Sequence, residues 1–349
     1  MPRIPMLMKN RLLLLILLVL LVPATETLGQ SIFPSFGSSR SGTSGFQFLK
    51  IGVDARSAGM AYSNIADARD ASSLFWNPAL AAQMDQSQFF MGHTAYFVDL
   101  SHNYGAYVHR IRNFAIGASL IYLDSGEMEE TTEFHPTGTG RTFRTIHMAA
   151  GLSVAQQLTS LFSYGVSLRY LDERIEEIQS QTAVLDIGFF YRVGETGLRF
   201  AVGVNNFGLD ASPSGETRRI AGPHESGSGT DDQEYITYDK FESISPPTTF
   251  NLGAAYDLYE SDIIQVLLTG QVINPNDNAE RFSLGTELSF LHQFYARAGY
   301  EFGVDEIYLP NFGVGFQLPL QRYSLEMDYG FATREKLGSL HRISLKFNL

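Results

Sequence analysis

Residues 294–302 of this 349-residue chain read FYARAGYEF. Every second side chain is apolar, from Phe294 through Ala296 to Phe302, and the side chains between them, such as Arg297 and Glu301, are mostly small or charged. A period of two residues is typical of a β-strand, because successive side chains point to opposite faces of the sheet. The same alternation recurs in residues 250–258, 282–290, 323–331 and 342–349. This repeated pattern predicts an all-β protein.

The number of such segments and the lengths of their connections indicate how the strands are arranged. The fourteen candidate strands are centred on Phe90, Tyr107, Ser119, Ala150, Val166, Ile187, Val202, Ala254, Leu267, Thr286, Arg297, Val314, Met327 and Leu345. Connections after even-numbered strands are short, whereas most of those after odd-numbered strands are long, namely 124–141, 172–180, 209–246, 274–280, 303–311 and 332–339. Bacterial transmembrane barrels have an even number of strands, short periplasmic turns and long external loops. The sequence therefore predicts a 14-stranded antiparallel transmembrane β-barrel, with a soluble periplasmic or secreted β-sandwich as the alternative.

Charged residues in these strands fall on the polar face. They are Asp257, Glu287, Arg297, Glu301, Glu326, Asp328 and Arg342. Lysine or arginine on the lipid face near the bilayer midplane would cost about 2–4 kcal/mol, so a barrel wall keeps such residues inward. Both signs of charge occur, and we expect these lumen-facing side chains to pair with one another. The alternative is that they line a substrate path.

The composition excludes several functional classes. Charged residues make up 18% of the chain and the mean hydropathy is −0.05, whereas glycine (32), phenylalanine (26) and tyrosine (17) are abundant, which favours β-structure. The chain has no cysteine, which excludes disulfides, thiolate metal ligands and a cysteine nucleophile. A net charge of −12 argues against a nucleic-acid partner, because phosphate binding needs a clustered basic face.

The N-terminus has the pattern of a secretory signal peptide. Arg3, Lys9 and Arg11 precede an apolar run at residues 12–22, and small residues follow that run. The run is shorter than the roughly 20 apolar residues that a membrane-spanning helix needs. We therefore predict three segments, which are a signal peptide at 1–29, an N-terminal plug or hatch at 30–84 and an outer-membrane β-barrel at 85–349.

The segment before the first strand has a composition of its own. Residues 52–61 are rich in small side chains, which allow close packing inside a barrel. Asn77 is a good N-cap and Pro78 suits the first helical position, so residues 79–83 are expected to form a short helix. A fourteen-strand barrel is wide enough to need internal filling or to hold a ligand path. We interpret this segment as a small internal plug that contains short helices.

Three stretches of this segment, FLKIG at 48–52, DARSAGM at 54–60 and FWNPA at 75–79, together resemble the opening signature of the PorV/PorQ family. That family belongs to a larger group of outer-membrane barrels typified by the long-chain fatty-acid transporter. The resemblance identifies as plug-motif residues Asp54, Arg56, Gly59, Trp76, Asn77 and Pro78. It implies a location in the bacterial outer membrane and a non-enzymatic role in type IX secretion, in which PorV-like barrels bind the large translocon and receive exported proteins.

Motifs that carry chemistry are scarce. The sequence has no G-x-S-x-G, H-E-x-x-H or G-x-x-x-x-G-K-[ST] motif, so we expect neither enzyme activity nor a cofactor. The acidic and amide residues of 274–280 miss the spacing of an EF-hand, and we expect an exposed polar turn there. In the long loop 209–246, the candidates for contact with a partner protein are Tyr235, Tyr238 and Phe241.

Two functions from different classes remain open at this point. The first is a docking or shuttle component of type IX protein secretion, and the second is an outer-membrane transporter of hydrophobic small molecules. A sealed polar lumen would favour docking, whereas a continuous apolar channel beside the plug would favour transport. Both functions place the chain among outer-membrane lipids. The first requires a protein partner, either the secretion translocon or exported proteins, and the second requires a hydrophobic ligand.

Overall fold

The structure, a computed structural model, describes residues 42–96, 100–131, 135–215, 219–221, 235–237, 241–303, 309–320, 323–334 and 338–349. The predicted signal peptide (1–29), the first part of the predicted plug (30–41) and Tyr238 lie outside the described residues. No helix in the described part of the chain is both long and apolar enough to cross a membrane.

Fourteen antiparallel strands close into a barrel. Numbered with all strands in chain order, they are β1 (Gln88–Ala95), β2 (Ser101–Ile111), β3 (Phe114–Asp124), β6 (Thr145–Gln157), β7 (Phe162–Ile175), β8 (Ile178–Arg192), β9 (Leu198–Gly208), β12 (Thr249–Glu260), β13 (Ile264–Pro275), β14 (Arg281–Phe290), β15 (Phe294–Phe302), β16 (Asn311–Leu320), β17 (Tyr323–Arg334) and β18 (Gly338–Asn348). Two small sheets lie in the connections, formed by β4 (Met128–Glu129) with β5 (Thr142–Phe143) and by β10 (Arg219–Ala221) with β11 (Tyr235–Thr237). All fourteen predicted centres fall within barrel strands, so the predicted 14-stranded antiparallel barrel is confirmed.

The barrel closes between its first and last strands. β1 pairs antiparallel with β18, from Gln88 opposite Asn348 to Ala95 opposite His341. Bilayer hydrocarbon cannot satisfy backbone N–H and C=O groups, so a sheet within it must have no free edge. Closure meets that requirement, and the β-sandwich alternative is wrong.

The two faces of the wall differ as the alternation predicts. On β14, Phe282 and Leu284 are 40% and 44% exposed on the outer face, whereas Ser283 and Glu287 are 0% and 3% exposed on the inner face. Apolar side chains therefore cover the outside, where lipid replaces water. Polar and charged side chains are buried inside, where they must find partners, because burying an unpaired charge is costly.

One of the predicted long connections is wrong. Residues 172–180 mostly belong to strands, because β7 continues to Ile175 and β8 begins at Ile178. Asp172 accepts hydrogen bonds from Arg174 Nε (2.9 Å) and from Gln179 Nε2 (2.6 Å) on the neighbouring strand. The polar residues that suggested a loop therefore belong to the ends of β7 and β8, which pair with each other. Residues 332–334 and 338–339, predicted to be loop, also belong to β17 and β18.

The chain before β1 is folded inside the barrel. It contains two 3-10 helices, Gln47–Lys50 and Pro78–Gln83, and two short α-helices, Ala55–Gly59 and Ser73–Trp76. The helix Ala55–Gly59 packs against β15 to β18, and the helix Pro78–Gln83 packs against β2, β3, β6, β7 and β8. Contacts with strands on opposite sides of the barrel place this segment, residues 42–87, within the lumen. It is called the internal segment below.

The internal segment runs from one end of the barrel to the other. Ser44 forms a β-bridge with Ser245, which lies in the long connection between β9 and β12, at the end of the barrel that carries the long connections (the long-connection end). The segment ends beside the start of β1 at the opposite end, which carries the short turns (the short-turn end). Asn77 caps the helix Pro78–Gln83 by accepting from the Ala79 N–H, with Pro78 at its first turn. The predicted short helix is therefore confirmed, in the 3-10 form.

Candidate functional site

An arginine of the internal segment connects that segment to the barrel wall. Arg56 donates from Nε to Glu287 Oε2 (2.8 Å) and from Nη2 to Glu287 Oε1 (3.1 Å), which is a bidentate pair. The same guanidinium donates to Asp67 Oδ2 (2.7 Å) and to the Asp67 carbonyl (2.6 Å). Both ends of the guanidinium are thus paired although Arg56 is only 4% exposed. Planar, two-sided pairing of this kind suits arginine better than lysine.

Electrostatics explains why Arg56 and Asp67 remain ionised although both are buried. Burial alone would lower the pKa of Arg56, but the carboxylates of Glu287 and Asp67 outweigh it and hold that pKa well above its ordinary value. Burial alone would raise the pKa of Asp67, but Arg69, Arg199 and Arg56 together lower it. The internal segment therefore carries opposite charges at Arg56 and Asp67, and Glu287 of the barrel wall pairs with Arg56.

The network continues around the wall through Arg297. Its Nε donates to Glu287 Oε2 (2.6 Å), and its Nη1 donates to Asp328 Oδ1 (2.5 Å). Glu326 lies 3.6 Å from Arg297 Nη2 and forms an ion pair with Lys346. Four strands on one side of the barrel, β14, β15, β17 and β18, thereby contribute charges to one buried layer.

The remaining predicted lumen charges have other partners. Arg342 donates to Thr94 Oγ1 (2.6 Å) and to the Tyr62 hydroxyl (2.8 Å) of the internal segment. Glu301 accepts from Arg281 (2.9 Å). Asp257, the most exposed of the set, accepts from Arg199 at 2.6 Å. All seven predicted lumen charges thus have polar partners. Asp257 is connected to Asp67 of the layer through Arg199, whereas Glu301 and Arg342 have separate partners.

The other plug-motif residues shape the internal segment itself. Asp54 caps the helix Ala55–Gly59 by accepting from the Ser57 N–H, and it also accepts from Trp76 Nε1 at 2.7 Å. Asn77 donates from Nδ2 to the carbonyls of Ile65 (3.3 Å) and Phe189 (3.2 Å). A Cβ on Gly59 would approach the Cα of Gly313 to 2.9 Å, so only glycine allows this close contact with β16. Pro78 begins the short helix that follows Asn77.

A second contact holds the internal segment at the long-connection end. Asp277 is 2% exposed and accepts from Lys50 Nζ (2.5 Å) and Gln47 Nε2 (2.8 Å). Burial alone would raise the pKa of Asp277, but the hydrogen bonds from Lys50 and Gln47 lower it. The expectation of an exposed polar turn is therefore wrong for this residue. Lys50 and Asp277 are 227 residues apart, and no local spacing in the sequence signals the pair.

The predicted partner-contact residues are only partly described. Phe241 is partly buried, and Tyr235 lies in β11, which pairs with β10. Nowhere in the described ranges do three or more histidine, aspartate or glutamate side chains group in a way that could hold a metal ion.

The described part of the interior includes two cavities. A polar cavity of about 490 Å³ lies at the short-turn end, lined among others by Gln88, Arg199 and Asn348. A cavity of about 60 Å³, lined by residues including Trp76 and Arg169, shares no lining residue with it. Within the described residues, the interior holds both the buried charged layer and a buried apolar cluster that includes Phe46, Leu74 and Phe90.

A closed fourteen-strand barrel with an apolar outer wall and charged side chains buried inside it is an outer-membrane β-barrel protein. The sequence model of one family, described as "Type IX secretion system protein PorV", matches residues 36–213. Because that match spans more than half of the chain, this protein belongs to the PorV family of the bacterial outer membrane. The match covers the internal segment from its first described residue to its end and barrel strands β1 to β9.

Solved structures with the same fold come from a neighbouring group. The toluene transporter TodX of Pseudomonas putida aligns with a TM-score of 0.57 at 14% identity, over 85% of this chain and 97% of that chain. The toluene transporter TbuX of Ralstonia pickettii aligns at 0.55 and 12%, over 85% and 97%. The monoaromatic hydrocarbon channel CymD aligns at 0.55 and 14%, over 85% and 96%. At these identities the likenesses show a shared fold. No curated protein sequence matches the chain significantly.

Proposed function

We propose that this chain is a non-enzymatic docking or shuttle component of type IX protein secretion. The observation that carries the proposal is the PorV family match, which includes the internal segment. The buried layer around Arg56 and Arg297 supports it, because a charged, tightly paired interior suits a rigid docking barrel better than a passage for apolar molecules. The proposed division of the chain is a signal peptide at 1–29, a plug at 30–84 and a barrel at 85–349.

The surface that meets the partner is proposed to lie at the long-connection end. The loop with Tyr235, Tyr238 and Phe241 is the longest connection, and tyrosine and phenylalanine are enriched at protein–protein interfaces. The proposed partners are the secretion translocon or the exported proteins themselves.

Transport of hydrophobic small molecules is the second candidate. It is favoured by an apolar groove of about 380 Å³ in the outer wall, lined by residues including Met91, Gly105 and Leu120. In this function a small apolar molecule would leave the barrel sideways into the lipid.

Affinity capture of the tagged full-length protein from native outer membranes tests the first function. Docking predicts recovery of a large translocon or of a set of exported proteins, and retention of exported proteins inside cells that lack this chain. A loop deletion of residues 212–232 should reduce recovery, whereas Asp262→Ala in a short turn serves as the matched control. If cells that lack this chain export proteins normally but no longer take up toluene, the result would instead support transport.

A further inference from the structure

The groove of about 380 Å³ in the outer wall lies at β1, β2, β3 and β18, and a missing side chain opens it. Gly105 of β2 is paired with Met91 on one side and with Leu120 on the other. Both neighbours are exposed on the outer face, at 47% and 45%. A Cβ on Gly105 would meet no atom within 4 Å. The apolar wall thus has a gap whose volume lies in the range of specific ligand pockets, about 300–1,000 Å³.

The wall behind the groove is closed. β1 and β2 pair without a register shift, from Gln88 opposite Val108 to Ala95 opposite Ser101. On the inner side, the wall at Gly92 lies directly against the carbonyl of Val53 in the internal segment. The groove therefore opens toward the membrane and not into the lumen, so its occupant comes from the membrane.

Polar side chains line the groove on the side of the long-connection end. His93, Asn103 and Tyr122 are neighbours across β1, β2 and β3, one row above Gly105. His93 Nδ1 and Asn103 Oδ1 are hydrogen-bonded at 2.7 Å, and the pair is exposed. In bacterial outer-membrane barrels this end faces the outside. A polar group that faced pure hydrocarbon would be costly, so this row indicates contact with a polar part of a lipid.

The hydrogen bond between His93 and Asn103 defines what the pair can still bind. In a neutral imidazole one ring nitrogen donates and the other accepts, and a side-chain amide has groups of both kinds. Whichever side chain donates in this bond, the pair keeps one donor and one acceptor. The hydroxyl of Tyr122 can also do both. A lipid ester can only accept, whereas a hydroxyl group on an acyl chain can both donate and accept.

We propose that this groove binds a hydroxylated acyl chain of an outer-leaflet lipid. The chain fills the gap at Gly105, and its hydroxyl group bonds with His93 and Asn103. Among the described residues, the lining of the groove includes no lysine, arginine, aspartate or glutamate, so the chain and not a charged headgroup is recognised. A plain acyl chain, or an apolar segment of a partner protein, would leave the donor and the acceptor of the pair without a partner.

Two lipids that differ in one group test the proposal. The full-length protein in detergent micelles is titrated with phosphatidylglycerol that carries either 3-hydroxytetradecanoyl or plain tetradecanoyl chains, and native mass spectrometry counts the bound lipids. A site built to hydrogen-bond a hydroxyl group discriminates against the analogue that lacks it. One hydroxylated lipid should therefore bind at a half-saturating concentration about tenfold below that of the plain lipid, as one ordinary hydrogen bond gives.

A substitution at Gly105 then locates the bound chain. Gly105→Val fills the gap and should raise the half-saturating concentration of the hydroxylated lipid at least about tenfold. Gly270→Val is the matched control, because Gly270 is an outward-facing glycine of β13, on the opposite side of the barrel. It should leave the binding unchanged.

A second variant tests the polar row. Combining His93→Leu, Asn103→Leu and Tyr122→Phe keeps the gap, so both lipids should still bind, but the preference for the hydroxylated lipid should fall from about tenfold to about twofold or less. Tyr329→Phe with His341→Leu is the control. These two residues form another outward hydrogen-bonded pair, at 2.7 Å, which does not line the groove. The preference should persist in that control.

Three results would overturn the proposal. The first is equal binding of the two lipids by the unaltered protein, which would leave a plain apolar groove. The second is an unchanged preference after the polar row is removed, which would place the recognition elsewhere. The third is equal loss for Gly105→Val and Gly270→Val, which would indicate a general lipid coat. Because purified protein is used, these outcomes do not depend on whether the chain acts in secretion.

Discussion

Replacing the arginines of the buried layer should destabilise the barrel to different degrees, and the order follows from the ion pairs. Arg56→Met removes the ion pairs of Arg56 with Glu287 and Asp67, but each of these two carboxylates still contacts another arginine. Glu287 retains Arg297 at 2.6 Å, and Asp67 retains Arg69 and Arg199, each at 2.8 Å. Breaking a buried pair costs about 3–5 kcal/mol, and we expect about 3 kcal/mol here.

Arg297→Met should cost more. Within the described residues, Arg297 is the cation within ion-pair distance of Asp328, which is 4% exposed. Its removal therefore leaves a buried carboxylate without a partner, and we expect about 5 kcal/mol. Adding Asp328→Asn to Arg297→Met should recover part of that loss, because the amide carries no charge to desolvate.

The assay is denaturant unfolding of the full-length protein in lipid vesicles. Trp76 is the single tryptophan and lies in the internal segment, so its fluorescence follows that segment, while circular dichroism follows the strands. Coincident transitions would justify two-state free energies. Arg141→Met is the control, because Arg141 is 71% exposed on its side chain and its ion pairs should contribute less than about 1 kcal/mol. Equal losses for Arg56→Met and Arg297→Met, or losses no greater than the control, would refute the reasoning.

Three further predictions concern the internal segment. Gly299→Val should destabilise the barrel by about 1–3 kcal/mol through overpacking, because a Cβ there meets Met60 backbone at 2.3 Å, whereas Gly105→Val, in open space, should leave the unfolding midpoint unchanged. Asp67 has a lowered pKa in the folded protein, so its contribution to stability is present above its unfolded pKa of about 3.9 and is lost as pH falls through the lower folded value. Asp67→Asn should therefore make the free energy of unfolding less dependent on pH in this acid range. An unchanged pH dependence would contradict this. Asp277→Ala should increase hydrogen exchange at Gln47–Lys50, and unchanged exchange would show that the Lys50 pair does not hold the helix.

The two-residue period of the sequence was enough to predict the strands of the barrel wall, but it did not predict where all the connections begin and end. A two-residue period is a local property, so each strand and its inward phase could be predicted one segment at a time. Strand ends are less well marked, because polar residues occur both in turns and in paired extensions of strands. Asp172 shows this, since its cross-strand hydrogen bonds from Gln179 and Gln181 keep a polar run in β7 and β8.

In the candidate site, too, some features could be predicted from the local sequence and others could not. The helix cap at Asn77 and Pro78 follows from residue type and spacing, so it could be predicted locally. The partners of the predicted charges could not, because Arg56 and Glu287 are 231 residues apart. The burial of Asp277 was missed for the same reason, as its partners belong to the internal segment rather than to the turn.

The sequence by itself determined that strands alternate between an apolar and a polar face, and hence that the polar set lies inside. Only the tertiary structure decided where the internal segment lies within the ring and which charge meets which. The physical reason is that alternation depends on neighbouring residues of one strand. Ion pairing instead depends on barrel closure, which brings β1 beside β18, and on the packing of the internal segment against β15 to β18.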